Sequence, residues 1–249
     1  MDDAARSLLE AATRPFRLCG ISAWQHARGK LRFDPVYIGL LERGLLPSDG
    51  TLLDLGCGQG ILLALIAAAR RQFRSGIWPA GWPPPPASLR LEGIERHGDR
   101  VADARAALRA DARIEQQDIR SADFPPCSAL VILDVMLYLE EDEQRRVLER
   151  AVRALDPDGV LILREADAAA GLSFKATEWG ARLIEALRGR LRPRLRYRRA
   201  ADWIGVIEGL GMSVRAEPMS AGTPFANVLF IAKRRTRSAC GHRLDLPID

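Results

Sequence analysis

An α/β fold built on a doubly wound, mostly parallel sheet is the expectation for this chain of 249 residues, and three observations carry it. First, β-like and helical patterns alternate along the chain, as successive strand–helix–strand units require. Second, the apolar run Leu52-Leu53-Asp54-Leu55 opens into Gly56-Cys57-Gly58-Gln59-Gly60 and then into a second apolar stretch from Ile61. Glycines there let the backbone take positive φ and leave no Cβ in the way, so strand, turn and helix start enclose a crevice where open α/β sheets bind nucleotides. Third, Ala129-Leu130-Val131-Ile132-Leu133 is continuously apolar, as a central strand buried on both faces must be, and it ends at Asp134.

Residues 1–50 carry no strand signal and are expected to form a helical cap, with helices around 22–30 and 35–43. The first strand is expected over 51–55 and its helix over 60–73. Residues 75–88 contain Pro79 and Pro83 to Pro86, which predicts an irregular surface loop. The second strand is read at 89–95, a helix with Val101, Ala104 and Leu108 inward at 98–109, and the third strand at 112–117. After the central fourth strand, residues 141–155 turn Val147, Leu148, Ala151 and Val152 inward, and Asp156-Pro157-Asp158-Gly159 reads as a turn before a fifth strand at 160–164. A long amphipathic segment is expected over 174–191 and a helix over 200–210, ended by Gly211. Strands at 212–217 and 227–232 complete the sheet as a hairpin-like pair. The domain reading is therefore a cap at 1–50, a ligand-binding domain at 51–235 with a substrate-side insertion at 165–199, and a mobile tail at 236–249.

A hydrophobic content of 47% suits a globular core. No run of eighteen apolar residues occurs and charged residues precede the first apolar stretch, so neither a membrane span nor a secretory signal is expected and the location is read as cytoplasmic. Cys19, Cys57, Cys127 and Cys240 form no Cys-x-x-Cys pair, so reduced thiols and no metal site are expected, with Cys57 in the turn for its small size. The net charge of +5 is uneven, with Arg188, Arg190, Arg192, Arg194, Arg196, Arg198 and Arg199 crowded together and Lys233, Arg234, Arg235 and Arg237 forming a second group. A solvated surface is the commoner use of such runs, and an acidic partner the alternative.

The turn also discriminates among ligands. Ile61 stands where a dinucleotide fingerprint needs its last glycine, and no Gly-Lys-Ser/Thr follows to make a phosphate loop. Asp54 would repel a pyrophosphate, whereas the sulfonium and amino group of S-adenosylmethionine are cationic and would be attracted. With its acid-x-Gly-x-Gly-x-Gly motif, the chain resembles class I S-adenosylmethionine-dependent methyltransferases. The resemblance implies that cofactor, a Rossmann-like seven-stranded sheet with an antiparallel last strand, and a cofactor site at Asp54, Gly56, Cys57, Gly58 and Gly60. Glu95, ending the second strand, can accept both ribose hydroxyls. Asp118 and Ile119 match the position that receives adenine, and Asp134 and Val135 the loop beside the methionine moiety.

Methyl transfer needs positioning more than acid–base chemistry, so a general base is optional. Where many family members carry a histidine after the fourth strand, this chain has Leu137 and Tyr138; His26 in the cap and Tyr138 are the candidate catalytic residues, and His97 sits on the adenine side. Trp24, Trp179, Tyr197 and Trp203 are candidates for an aromatic wall around a small-molecule acceptor. The stretches from His26 to Pro35 and from Met219 to Leu229 look like bacterial methyltransferases of aryl-polyene and xanthomonadin-like pigment clusters. That likeness implies methylation of an aromatic head group, on an intermediate tethered to an acidic acyl carrier protein that the arginine cluster would suit. RNA methylation rests on the basic balance alone and lacks an Asn/Asp-Pro-Pro-Tyr motif, so nucleic acid is the weaker partner; a non-catalytic cofactor-binding protein is the third reading.

Overall fold

The computed structural model describes residues 2–171, 174–175 and 195–235. One seven-stranded sheet runs β1 Thr51–Leu55, β2 Arg90–Glu95, β3 Arg113–Gln116, β4 Cys127–Leu133, β5 Leu155–Ala166, β6 Met212–Pro218 and β7 Asn227–Arg234 in chain order. Their spatial order is β3-β2-β1-β4-β5-β7-β6. The first five strands pair in parallel, and β7 runs antiparallel to both β5 and β6. The last strand in sequence is thus antiparallel as expected, but it inserts between β5 and β6, and β6 is the edge. A hairpin places its second strand next to whichever partner is still open, and here β5 pairs with β7 over its whole inner half, from Val160↔Lys233 to Ala166↔Asn227.

Side chains alternate across the sheet. Leu52, Ala129, Val131 and Ile162 face a core shared with helices α1 Asp3–Thr13, α2 Ile21–Phe33, α3 Pro35–Glu42, α4 Ile61–Arg74 and α5 Gly98–Leu108. Leu53, Leu55, Leu130, Ile132, Leu161 and Leu163 face the other core, shared with α6 Glu141–Ala154 and α7 Ala200–Gly209. The N-terminal segment is therefore more than a lid. α1, capped by the Asp2 carboxylate accepting from Ala5 N at 2.7 Å, buries Leu8 and Ala12 in the core that holds α4. Sequence patterning located α2 and α3 but assigned no limits to α1. α6 starts where Glu143 Oε2 accepts from Glu140 N at 3.0 Å, with acids filling its first turn as the helix dipole favours.

Two boundaries differ from the sequence reading. β5 begins at Leu155, before the Pro157–Gly159 stretch read as a turn, because Leu155 pairs with Cys127 across a register shift in the ladder. The proline-rich loop is only partly a surface feature: Pro85 and Pro86 are buried, and Trp78 stacks edge-on to Phe73 and Trp82 at 5.7 and 5.8 Å. Among the described residues no helix is long and apolar enough to cross a membrane, and no cluster could hold a metal ion. Cys19, Cys57 and Cys127 are free thiols; Cys240, the 174–191 helix and the 236–249 tail lie wholly or largely outside the described residues.

Candidate active site

The carboxyl ends of β1, β2, β4 and β5 open into one cavity of about 610 Å³, roofed by α2 and by the β6–β7 loop. Its floor is the glycine turn. Gly56, Gly58 and Gly60 all have positive φ, at 74°, 57° and 76°. Each glycine has its own reason. A Cβ on Gly56 would lie 2.5 Å from Val135 Cγ2, and one on Gly60 would lie 2.6 Å from Leu108 Cδ1, so these two allow close packing. A Cβ on Gly58 would meet nothing within 4 Å, since that residue faces the cavity. Cys57 is buried against Gly93, whose own Cβ would come 2.7 Å from the thiol sulfur. Burial, with Asp54 and Glu95 nearby, pushes that thiol well above its usual range, so Cys57 is a packing residue rather than a nucleophile.

Glu95 ends β2 with its carboxylate turned back over the turn, accepting from Gly58 N at 3.1 Å and His97 N at 2.8 Å. Asp54 lies one residue before the end of β1, 4% exposed, and no hydrogen bond among the described residues engages its carboxyl. Burial, reinforced by the nearby Glu95, raises Asp54 to about 7. Asp54 and Gly60 stand just under the turn, outside the lining residues, while Gly56, Cys57, Gly58, Glu95, Asp118, Ile119, Asp134, Val135, His26 and Tyr138 line the cavity. Asp118 is half committed elsewhere: it accepts from Arg120 N at 2.9 Å and pairs with the Arg120 guanidinium at 2.6 Å, which holds it below the usual carboxylate range.

The other half of the cavity holds a charge cluster that sequence reading did not find. Arg164, at the inner end of β5 and fully buried, bonds Asp134 through Nε at 3.0 Å and pairs with both Asp34 and Asp134 through its terminal nitrogens. Lys30 adds contacts at 3.2 Å to Asp34 and 3.6 Å to Asp134. Asp34 also caps α3 by accepting from Val36 N. Two cations and two anions thus lock cap to sheet, and Asp134 is held at a positive φ of 57°, a conformation non-glycine residues adopt mainly when their surroundings fix it. Burial works against the Lys30 charge, but Tyr37, Asp134 and Asp34 outweigh it and raise Lys30 above its ordinary value.

Beside this cluster, buried Glu165 accepts from Val135 N at 3.1 Å and Met136 N at 2.7 Å, fixing the loop after β4. Burial first, and then Asp134, raises it to about 8 despite those two donors. The one available sequence signal for both residues was an Arg-Glu pair continuing an apolar strand run, where charges need partners.

The aromatic wall is built from other residues than those expected. Trp203 is 1% exposed in the core, and Trp24 lies between Arg17 and Arg28, each 4.8 Å from its ring, away from the cavity. Trp203 is buried and Trp24 partly buried, both used in packing, and of the expected set Tyr197 lines the cavity; Trp179 lies outside the described residues. The mouth carries Phe33, Tyr138 and Phe225 instead. In the arginine run, Arg196 pairs with Glu140 at 2.8 Å and Arg198 donates to Gln144 at 2.6 Å, while Arg199 is exposed; Arg188 to Arg194 lie outside the described residues. Arg234 donates to Val152 O at 2.6 Å, a structural use as well.

The family model described as "Methyltransferase domain" matches residues 24–205. Among curated proteins, the carboxy-S-adenosyl-L-methionine synthase of Chromohalobacter salexigens is 30% identical over 133 residues, covering 51% of this chain and 44% of that protein. The chain thus spans about half the length of the curated relatives it matches. Among solved structures, the pyocyanin biosynthetic protein PhzM superposes with a TM-score of 0.61 at 16% identity, over 88% of this chain and 60% of that one. The magnesium protoporphyrin IX methyltransferase of Synechocystis PCC 6803 with bound SAH gives 0.56 at 19% identity, over 89% and 94%. At such identities the structures establish the fold. The chain belongs to the methyltransferase domain family and has the Rossmann-like class I fold of S-adenosylmethionine-dependent methyltransferases.

Proposed function

We propose that this protein is a cytoplasmic enzyme that transfers a methyl group from S-adenosylmethionine to an oxygen of a small aromatic or polyene acceptor. The carrying observation is the pair Asp54 and Glu95 under a glycine turn that is open at Gly58. Two carboxyls in one low-dielectric place, one of them without a protein partner, suit a ligand that is cationic and rich in donors. The cofactor, when bound, supplies a methyl group already activated on a positively charged sulfur. Glu95 would accept the ribose hydroxyls, Asp118 and the Ile119 amide would receive adenine, and the loop of Asp134 and Val135 would flank the methionine end.

The protein's remaining work is placement. Glu165 holds the Val135 and Met136 amides so that this loop keeps one shape, and Val135 packs on Gly56, which fixes the loop against the turn. His26 lines the acceptor side from α2 and would take the proton leaving the acceptor hydroxyl, while Tyr138 would orient that hydroxyl. An acceptor delivered on an acidic acyl carrier protein would meet the cap, where residues 14–33 hold Arg14, Arg17, Arg28, Lys30 and Arg32 and no acid. An aromatic mouth favours a small molecule over RNA.

The test is product analysis: the protein incubated with S-adenosylmethionine and aromatic alcohols should yield S-adenosylhomocysteine and methyl ethers by mass spectrometry. No S-adenosylhomocysteine with any of them contradicts the reading. A second reading is favoured by the curated relatives, whose name describes synthesis of a carboxylated S-adenosylmethionine. It places an anion near the sulfur, where Lys30 and Arg164 are already matched by Asp34 and Asp134. With a carboxylic acid that can release its carboxyl carbon supplied as donor, formation of a sulfonium nucleoside heavier by that carboxyl group, in place of S-adenosylhomocysteine, would select it.

A further inference from the structure

Helix α2 presents His26, Gly29, Lys30 and Phe33 to the cavity, the spacing of one helical face. Gly29 is the anomaly in that row. A glycine inside a helix is destabilising, and it persists where something must come close to the backbone. Among the described residues nothing does: a Cβ on Gly29 would meet no atom within 4 Å. Gly39 in α3 offers the contrast, since its Cβ would touch Met219 Cε at 3.5 Å. The glycines of α7 that also have open space, Gly205 and Gly209, face solvent, whereas Gly29 faces the cavity.

A second observation points to what comes close. Of the seven large apolar side chains exposed among the described residues, Phe33, Tyr138 and Phe225 border this cavity, at 69%, 40% and 37% exposure, and they are three of the four aromatic ones. They come from three separate elements, α2, the loop after β4 and the β6–β7 loop, so no local sequence pattern explains their convergence. Partly exposed aromatic side chains converging around a concave site mark the place of an apolar or π-faced ligand.

We propose that the acceptor subsite is the space between the bare α2 backbone at Gly29 and the Phe33, Tyr138 and Phe225 rim, that it takes a flat, unsaturated, uncharged ring system, and that Gly29 sets the thickness it admits. This rests on the methyltransferase reading and specifies its substrate class. The Lys30, Asp34, Asp134 and Arg164 cluster next to the subsite is internally paired, two cations with two anions, which leaves no surplus charge within it for an ionic acceptor.

The test uses calorimetry on the full protein saturated with S-adenosylhomocysteine, with 2-naphthol as the flat probe and decahydro-2-naphthol as its puckered, saturated counterpart. The flat alcohol should bind at least about tenfold more tightly. In Gly29→Leu, 2-naphthol affinity should fall by about tenfold or more while S-adenosylhomocysteine affinity stays within about twofold and the melting temperature does not fall. Phe33→Ala, at an exposed position, should weaken 2-naphthol by about threefold or more with the same unchanged nucleoside affinity. Equal binding of 2-naphthol by Gly29→Leu and the unaltered protein overturns the proposal, as does equal binding of the two alcohols or binding of neither. Failure of the unaltered protein to bind S-adenosylhomocysteine overturns the methyltransferase reading itself, and this proposal with it.

Discussion

The two halves of the cavity are built by opposite means. On the β1–β2 side the site is local: three glycines in one turn, one carboxylate at the next strand end, and backbone amides as its partners. On the β4–β5 side it is assembled by side chains from across the fold, with Arg164 meeting Asp34, 130 residues earlier in the chain, as well as Asp134. The local half suits a ligand that does not vary, since its geometry follows from the backbone. The assembled half ties cap to sheet through side chains, so acceptor-side residues can change without disturbing the turn.

If the assembled half depends on charge balance, its failure should be the larger. Arg164→Met leaves Asp34 and Asp134 facing each other with only Lys30 between them, and it should destabilise the protein by about 3–5 kcal/mol in urea unfolding. Adding Asp34→Asn and Asp134→Asn to Arg164→Met should recover a good part of that loss, because the penalty is the unpaired charge. A loss below about 1 kcal/mol for Arg164→Met would mean the cluster is a surface pair in energetic terms.

Glu95→Ala probes the local half. It removes a charged acceptor for two hydroxyls and should weaken S-adenosylhomocysteine binding by about 1.5–3 kcal/mol, roughly ten- to hundredfold. Calorimetry should record that loss with the unfolding midpoint changed far less than in Arg164→Met. The reverse pattern would exchange the roles assigned to the two halves.

Glu165 gives the most specific effect, a pH dependence rather than a fixed loss. Its pKa is raised on folding to about 8, so the folded protein holds a proton there that the unfolded chain has released. Stability from this group is complete below the unfolded value of 4.5 and is lost as pH rises toward 8, at up to about 1.4 kcal/mol per pH unit. Glu165→Gln keeps an oxygen for the Val135 and Met136 amides and should flatten that decline between pH 5 and 8. An unchanged slope would show that Glu165 is ionised throughout.

Legibility in the sequence follows the same division. The glycine turn, the continuous apolar run of β4 and the acid at Glu95 are contiguous signals, and they located the sheet, the crevice and ten of the twelve expected site residues on its walls. Asp54 is expected beside the ligand; strand alternation sets it on the Leu52 face of β1, under the turn and next to Glu95. The expected fifth strand ends at Arg164 with Glu165 opening the insertion; the strand continues to Ala166, and the two charges are satisfied by residues no spacing rule connects to them. The aromatic mouth was missed for the same reason. Phe33, Tyr138 and Phe225 are ordinary singly, and only the fold brings them to one opening.

The central claim, a cationic sulfur nucleoside held over Asp54 and Glu95, is tested most directly by the pH dependence of S-adenosylmethionine affinity. A cation beside Asp54 favours its ionised form, so with Asp54 near 7 the affinity should rise by about tenfold from pH 6 to pH 8, with protons released on binding at pH 6. Asp54→Asn should remove that rise. Absence of binding, or an affinity in the unaltered protein that does not change with pH and releases no proton, would contradict the account.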